Sequence, residues 1–317
     1  MIAALPLPNS TNVRNMIVMI RNRLVLAVSS ALAPERAVRK AAKLFVTPPR
    51  FAHTPREHDL LRMGASMVIP SPAGRLAAWR FGAAHLPAVV VSHGWGGRGA
   101  QLRSFVAPLV ESGFQVVVFD HAGHGFSEGN EASLVDFTRN LAAVVDAVEA
   151  SGAKVEGLVG HSLGAAAVGA YLRASGRGIR SVLVAPPSSL IRYSGHFARL
   201  LGIPERIRRE MQARFERRMG VAWSDFELPQ SVASIRAPAL VIHDARDRDV
   251  PFSSGLAVAR AWPDARLVRT DGLGHRAILK NSVVVQDAID FLRAQVVFPR
   301  PPASGERAAF AIPAPLL

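Results

Sequence analysis

Ser162 lies in a five-residue pattern that is typical of nucleophilic serines. Residues 160–164 read Gly-His-Ser-Leu-Gly, a match to G-x-S-x-G. A β-branched run at 155–159 predicts a strand before the serine, and the small residues of 164–167 predict the start of a helix after it. A serine on such a sharp turn presents its hydroxyl for attack on a carbonyl. We therefore predict that Ser162 is the nucleophile of an acyl-transfer reaction.

A second G-x-S-x-G match surrounds Ser127 at residues 125–129. This serine follows a glycine-rich stretch and precedes Gly129-Asn130, which is a turn signal, so no strand and helix flank it. We expect Ser127 to be a loop serine that makes local hydrogen bonds.

A serine hydroxyl is a weak nucleophile at neutral pH, so it needs a histidine base, which a carboxylate in turn orients. His275 is the last histidine of the chain and lies on a glycine-rich turn after a predicted strand. The stretch 244–251 holds three candidate acids, and position alone leaves each of them open: Asp244, Asp247 and Asp249. The sequence has no H-x-x-x-H zinc spacing and no P-loop, so we expect neither a metal nor an organic cofactor.

Strand and helix signals alternate from about residue 65 onwards. Short β-branched runs recur at 88–91, 115–119, 155–159, 179–184, 239–242 and 266–269. Helical periodicity lies between most of them, which predicts βαβ units and a mostly parallel sheet. The segments 67–69 and 76–79 are separated by a turn signal and predict an antiparallel hairpin at the sheet edge.

Three motifs together resemble the α/β-hydrolase-fold serine hydrolases of the esterase and lysophospholipase kind. They are the Ser162 motif, Val-Ser-His-Gly-Trp-Gly-Gly at 91–97, and Asp-His-Ala-Gly-His-Gly-Phe-Ser at 120–127. The resemblance covers roughly residues 65–297. It implies a mostly parallel, twisted sheet with helices on both faces and a small helical cap.

The resemblance also implies which aspartate is the acid. In this fold the chain order is Ser, acid, His, and the acid lies four residues before the proline of a Val-Pro pair. Pro251 is that proline, so the resemblance assigns the acid to Asp247. Asp244 departs from the family, which often has glycine at its position. For Asp249 we expect pairing with Arg246 or Arg248, or plain solvation.

Acyl transfer requires N–H groups aimed at the developing oxyanion. The resemblance assigns these to the residue after the nucleophile, Leu163, and to the residue after His93-Gly94, Trp95. It also implies that His93, Gly94 and His161 line the substrate site. We thus predict a Ser162-Asp247-His275 triad that needs no cofactor.

The predicted function is hydrolysis of small-molecule carboxylic esters through an acyl-enzyme intermediate. An amphipathic stripe recurs every four residues at Ile207, Met211, Phe215 and Met219, and it favours an apolar acyl group. A serine peptidase, a thioesterase and other acyl hydrolases share the same residues and stay open as alternatives. The non-enzyme alternative is an inactive hydrolase-like binding scaffold.

Three segments lie outside the strand and helix alternation. We predict a helical extension at 1–62, a cap inserted at about 190–232 within a hydrolase domain of 63–297, and a Pro- and Ala-rich tail at 298–317. The apolar run at 24–30 precedes a small-x-small triplet, as in a signal peptide, but the basic region before it is too long. We therefore expect an amphipathic helix and a cytoplasmic, membrane-peripheral protein rather than a secreted one.

The charge of the chain is strongly basic and unevenly distributed. The 317 residues include no cysteine, which excludes disulfides and a cysteine nucleophile, and 38 Lys and Arg against 24 Asp and Glu give a net charge of +14. Residues 1–62 carry +7 and residues 190–219 carry +5. With only 21 aromatic residues and no RNA-recognition or helix-turn-helix signature, we expect no nucleic-acid partner. The two basic segments instead predict contact with anionic lipid or steering of an acidic substrate. A compositional origin of the charge stays open as the alternative, because 34 of the 38 basic residues are arginine. No feature predicts an oligomeric state.

Overall fold

Eight strands form one sheet in the computed structural model, which describes residues 10–294 of the chain. Their order across the sheet is β1-β2-β4-β3-β5-β6-β7-β8. The pairs β1/β2 and β2/β4 are antiparallel, and all other neighbouring pairs are parallel. The strands are β1 Ala65–Ile69, β2 Leu76–Phe81, β3 Ala88–Ser92, β4 Gln115–Phe119, β5 Val155–His161, β6 Arg180–Val184, β7 Ala239–Asp244 and β8 Ala265–Thr270.

Twelve helices accompany the strands in the described part of the chain. They are α1 Ser10–Leu32, α2 Pro34–Val46, α3 Pro55–Met63, α4 Arg103–Glu111, α5 Leu134–Ala150, α6 Leu163–Ser175, α7 Leu190–Leu201, α8 Glu205–Met219, α9 Leu228–Val232, α10 Phe252–Ala261, α11 Gly274–Ala277 and α12 Ser282–Arg293. The predicted hairpin is present as β1 and β2, and the tail predicted at 298–317 lies outside the described residues.

The central strands are apolar along their whole length because both faces of the sheet are covered. In β3, Val90 packs into a core that includes residues of α5, α6 and α10. Its neighbours Val89 and Val91 pack into a second core, with residues of α3, α4 and α12. This alternation explains why the strands read as continuous β-branched runs rather than as alternating polar and apolar residues.

The strand order reverses beside β3, and this reversal creates a crevice. The chain passes from β3 to its neighbour β4 and then crosses back to β5 on the other side of β3. The loops that follow β3 and β5 therefore diverge at the carboxyl ends of these strands. In open α/β sheets this switch point is where ligands bind.

The chain divides into two compact units. The helical unit contains α1, α2, α7 and α8, that is, residues up to 46 together with 190–224. Its core includes Leu26, Val38, Met211 and Phe215. The rings of Phe45 and Trp223 are stacked, with their centroids 5.5 Å apart. Of the described helices, none has both the length and the apolar character required to cross a membrane.

Within the described part of the chain, the sheet unit contains residues 47–189 and 225–294, and its boundaries differ from the predicted ones. Residues 47–62 belong to it because Leu60 and Leu61 of α3 pack into the core of the sheet. Residues 225–232 belong to it because Leu228 and Val232 of α9 pack against the opposite face. The predicted N-terminal extension and cap are thus each shorter in the structure, and their helices share one core.

Candidate active site

Ser162 occupies the turn between β5 and α6 with an unusual backbone conformation. Its φ is 52° and its ψ is −121°, a backbone conformation that residues other than glycine rarely adopt. The turn is tight on both sides. A Cβ on Gly160 would lie 2.6 Å from the Cα of Ala165, and one on Gly164 would lie 2.5 Å from two carbonyl oxygens at the end of β3. Glycine is therefore required at both flanking positions of the motif.

Asp247 and His275 are brought together by the loops that follow β7 and β8. Asp247 Oδ2 lies 2.7 Å from Nδ1 of His275, and the carboxylate is completely buried. Its Oδ1 accepts the backbone N–H groups of Asp249 and Val250, both at 2.9 Å. Burial alone would raise the pKa of Asp247, but hydrogen bonds, led by that of His243, hold it well below its ordinary value. The aspartate is therefore ionised, and it keeps a proton on Nδ1 of His275.

His275 lies beside the residue that precedes Ser162. Nε2 of His161 is 2.9 Å from the carbonyl oxygen of His275, and the two ring centroids are 4.7 Å apart. Burial, followed by the neighbouring His275, lowers the pKa of His161 to about 3, so its ring is neutral and Nε2–H is the donor. Within the described part of the chain, Ser162 Oγ makes no hydrogen bond. The predicted acid and base are therefore in contact with each other, but the predicted base and the serine are not hydrogen-bonded. Such contacts often tighten only when substrate is bound.

Two backbone N–H groups follow the strands on either side of the switch point. Leu163 is the first residue of α6, and Trp95 lies in the loop after β3. Within the described part of the chain, neither N–H donates to a protein acceptor. Gly94 brings the Trp95 loop close to the serine, because a Cβ on Gly94 would lie 2.9 Å from Ser162 Cβ. The predicted oxyanion donors thus follow the two strands that flank the crevice.

His93 and His161 do not line a substrate site as predicted. His93 is completely buried, and its Nε2 accepts the N–H of His121 at 2.9 Å. Its proton is therefore on Nδ1, which donates to the carbonyl of Gly94 at 2.7 Å. His161 is 6% exposed, with Nε2 engaged by His275. Both rings position backbone next to Ser162 and have no free donor for a substrate.

His124 is a positioning residue that the sequence analysis missed. Its Nε2 accepts the N–H of Gly96 at 3.0 Å, and its Nδ1 lies 3.0 Å from the carbonyl of Ala122. Burial lowers the pKa of His124 to about 4, which keeps the ring neutral and Nε2 able to accept. The histidine therefore ties the loop after β4 to the loop that carries Trp95. Its place in the 120–127 motif is the signal that could have revealed it.

Asp244 is buried at the end of β7 and holds the turn that leads to His275. Its Oδ2 accepts the hydroxyl of Thr270 at 2.7 Å and the N–H of Leu273 at 2.9 Å. Its Oδ1 accepts the N–H of Arg246 at 2.9 Å. Burial opposes ionisation, but these hydrogen bonds lower the pKa of Asp244 to about 2. Where the family often has glycine, this chain has a structural carboxylate.

The exposed aspartate of the same stretch makes neither of the two ion pairs expected for it. Asp249 lies 3.9 Å from Arg276, whereas Arg246 pairs with Asp271 at 2.7 Å. The side chain of Asp249 is 55% exposed, which agrees with the expected solvation rather than with pairing to Arg246 or Arg248.

Ser127 is a structural serine. It is buried, its Oγ donates to the carbonyl of Asp120 at 2.6 Å, and it accepts the N–H of Ala77 in β2 at 2.8 Å. Both hydrogen-bonding roles of the hydroxyl are therefore occupied. The serine of the second G-x-S-x-G match therefore links the loop after β4 to β2 by hydrogen bonds.

Histidine and acidic side chains are numerous around the strand ends. Among residues 10–294, however, no group of three or more of them has a geometry that could hold a metal ion. Several of these side chains hydrogen-bond to the backbone, as Asp120 does with the N–H groups of Gly99 and Phe126, both at 2.8 Å.

Comparison with known proteins agrees with this architecture. The model of the Alpha/beta hydrolase family matches residues 88–288. The chain belongs to the alpha/beta hydrolase family. This membership confirms the predicted family and fold class, and the matched range includes β3, the Ser162 turn and the loops that carry Asp247 and His275.

Several solved structures share the fold of this alpha/beta hydrolase. The esterase Pf2001 of Pyrococcus furiosus is 22% identical, with a TM-score of 0.61 over 78% of this chain and 99% of that one. Est1E of Butyrivibrio proteoclasticus, in a structure with bound ferulic acid, is 19% identical, with a TM-score of 0.59 over 72% and 98%. A thioesterase domain from the curacin biosynthetic pathway is 15% identical, with a TM-score of 0.53 over 72% and 99%. No curated protein matches the sequence.

Proposed function

We propose that this hydrolase cleaves carboxylic esters through an acyl-enzyme intermediate on Ser162. The observation that carries the proposal is the 2.7 Å contact between a buried, ionised Asp247 and Nδ1 of His275. This contact leaves Nε2 of His275 as the basic nitrogen, and the His161 contact keeps that histidine next to the serine turn. Esterases among the structural neighbours favour an ester over other acyl substrates.

The reaction has two halves. Ser162 Oγ attacks the ester carbonyl as its proton moves to Nε2 of His275, and the N–H groups of Leu163 and Trp95 stabilise the resulting oxyanion. The intermediate collapses, and the alcohol leaves with the proton from His275. Water then attacks the acyl-enzyme with the same proton transfers, which releases the acid and restores Ser162.

The acyl preference needs its own evidence. In the stripe that predicted an apolar acyl group, Met219 is half-buried, whereas Ile207, Met211 and Phe215 are buried in the core of the helical unit. They pack against their own unit and offer no surface to an acyl chain, so this argument for an apolar substrate fails. The likeness to a thioesterase domain makes thioesters the second candidate substrate class.

Fluorophosphonate labelling and ester hydrolysis test the proposal together. The wild-type protein should take one label and hydrolyse p-nitrophenyl esters, whereas Ser162→Ala should lose the label and at least about 10³-fold in kcat. Ser127→Ala is the matched control, because it removes the serine of the other G-x-S-x-G match. A folded wild-type protein that takes no label and cleaves no ester would make the chain an inactive scaffold.

A substrate panel separates the acyl classes. Esters of increasing acyl length, with the matching thioesters and amides, should give the highest kcat/KM for an ester. A consistently higher value for thioesters at equal chain length would move the assignment to thioesterase, and a preference for amides would move it to peptidase.

A further inference from the structure

Over residues 17–32, helix α1 presents most of its large aliphatic side chains away from the core of the helical unit. The buried side of this stretch holds Asn22, Leu26 and Ser30, so two of its three buried residues are polar. The opposite side is aliphatic. Its exposed residues are Ile17, Val18, Ile20, Leu24, Val25, Val28 and Leu32, with exposures from 40% to 81%.

These exposed residues form a continuous stripe. Ile17, Ile20, Leu24 and Val28 recur every three or four residues, so they lie on one face of the helix. Val25 and Leu32 widen this face. From residue 17 to residue 32 the stripe is about 22 Å long at the rise of an α-helix. An apolar patch of this extent on a water-facing surface indicates a binding surface.

The unit that carries the stripe also carries most of the charge of the chain. Residues 1–46 and 190–224 hold fifteen of the Lys and Arg and only four of the Asp and Glu, which makes +11 of the total of +14. Arg21 lies within the exposed face of α1, and Arg36 and Arg39 are exposed on α2. Three of the four acids, Glu35, Glu205 and Glu210, are already ion-paired with arginines.

We propose that α1 binds an anionic lipid bilayer, with its aliphatic face in the headgroup region and the surrounding arginines against lipid phosphates. An exposed aliphatic face combined with excess positive charge is the combination that interfacial helices use. A second copy of this chain fits less well, because it would bring +11 against +11 at the same surface. The inference does not depend on which acyl group the site hydrolyses.

Vesicle co-sedimentation tests the proposal directly. The full chain should bind vesicles made of equal parts phosphatidylcholine and phosphatidylglycerol, and bind vesicles of phosphatidylcholine alone much more weakly. Salt at about 1 M, where the Debye length is about 3 Å, should reduce the binding to anionic vesicles. Equal binding to both kinds of vesicle, or none to either, would overturn the proposal.

A pair of double variants locates the surface. Leu24→Gln/Val28→Gln alters two side chains of the stripe that are 63% and 59% exposed, and it should weaken binding to anionic vesicles about tenfold or more. Val68→Gln/Val283→Gln alters two residues of the sheet unit that are 68% and 65% exposed, and it should bind like the wild type. Neither variant changes the charge, and thermal melting by circular dichroism checks that both are folded.

Two other results would assign the stripe differently. Light scattering that shows a dimer, dissolved by Leu24→Gln/Val28→Gln and without vesicle binding, would make a second copy the occupant. Vesicle binding that is unchanged in that variant would show that the lipid contact lies elsewhere on the molecule.

Discussion

Four polar contacts fix both the charge and the direction of the Asp247 carboxylate. Two backbone N–H groups hold Oδ1, while Oδ2 lies 2.7 Å from His275 and 3.5 Å from His243. Nε2 of His243 is also 3.0 Å from the carbonyl of Val250, so this second imidazole is itself held in place. The carboxylate therefore orients His275 without being free to turn towards solvent.

Replacing Asp247 tests that role at the level of one residue. Asp247→Asn should lower kcat for an activated ester by about 10³- to 10⁴-fold, because an amide no longer keeps the proton on Nδ1 of His275. Asp249→Asn, two residues away and exposed, should stay close to the wild-type value. A large loss of kcat in Asp249→Asn with none in Asp247→Asn would instead identify Asp249 as the acid.

At the scale of single residues, the sequence was enough to predict Ser162 as the nucleophile and His275 as the base. It was not enough to predict the groups that hold them in position. Both are recognisable from the glycines and strand signals around them. The three aspartates of 244–251 differ only in their contacts, so family likeness was needed to choose Asp247. The roles of His93 and His124 depend on which ring nitrogen accepts a backbone N–H from another loop, and no sequence pattern encodes that choice.

Two neighbouring strands are coupled at their ends by the carboxylate of Asp244. It belongs to β7, yet it accepts hydrogen bonds from Thr270 in β8 and from Leu273 in the turn beyond. The turn that carries His275 is thus anchored to the strand that leads to Asp247. Acid and base keep their separation because their elements share this anchor.

Loss of this anchor should affect both stability and turnover. Asp244→Asn places an amide N–H among backbone donors, which should cost about 1–3 kcal/mol of unfolding free energy in urea titration. It should also reduce kcat more than it changes KM, because His275 is displaced and no substrate contact is lost. Asp271→Asn, in the same turn but half exposed, is the control. Wild-type stability and kcat in Asp244→Asn would show that the anchor is dispensable.

Sequence periodicity predicted the strands well but not how the outlying helices associate. The alternation from residue 65 onwards is a local signal, and it placed all six parallel strands. The core between α2 and α8 joins segments about 170 residues apart in sequence, beyond the range of any local pattern. The stripe of α8 and the apolar face of the second N-terminal helix were therefore visible, but their pairing was not.

Buried neutral histidines give the whole molecule a pH-dependent stability. Burial is the largest cause of the lowered pKa values of His93, His121, His124 and His161. Unfolded histidine has a pKa of about 6.5 and binds a proton below it, whereas these folded residues do not. Their contribution is therefore fully present above about pH 6.5 and is lost as the pH falls below that value.

Urea unfolding at pH 7 and pH 5 measures this contribution. For His124, with a folded pKa of about 4, the loss by pH 5 should be about 2 kcal/mol. His124→Gln keeps an acceptor for Gly96 and should remove that much of the pH dependence, and His85→Gln, at an exposed residue, is the matched control. Asp244, with a pKa of about 2, loses its contribution only at more acidic pH and does not interfere. An unchanged slope in His124→Gln would contradict this explanation.

The backbone of Ser162 also bears on how selection acts on this position. A φ of 52° with a ψ of −121° destabilises the folded protein by about 1–3 kcal/mol with serine at this position, a strain that glycine would not have. Mutation towards greater stability at residue 162 therefore leads to glycine and away from a hydroxyl. A lineage under pressure only to stay folded would drift in that direction. The strained conformation of Ser162 thus lowers stability at the position that we propose for the nucleophile.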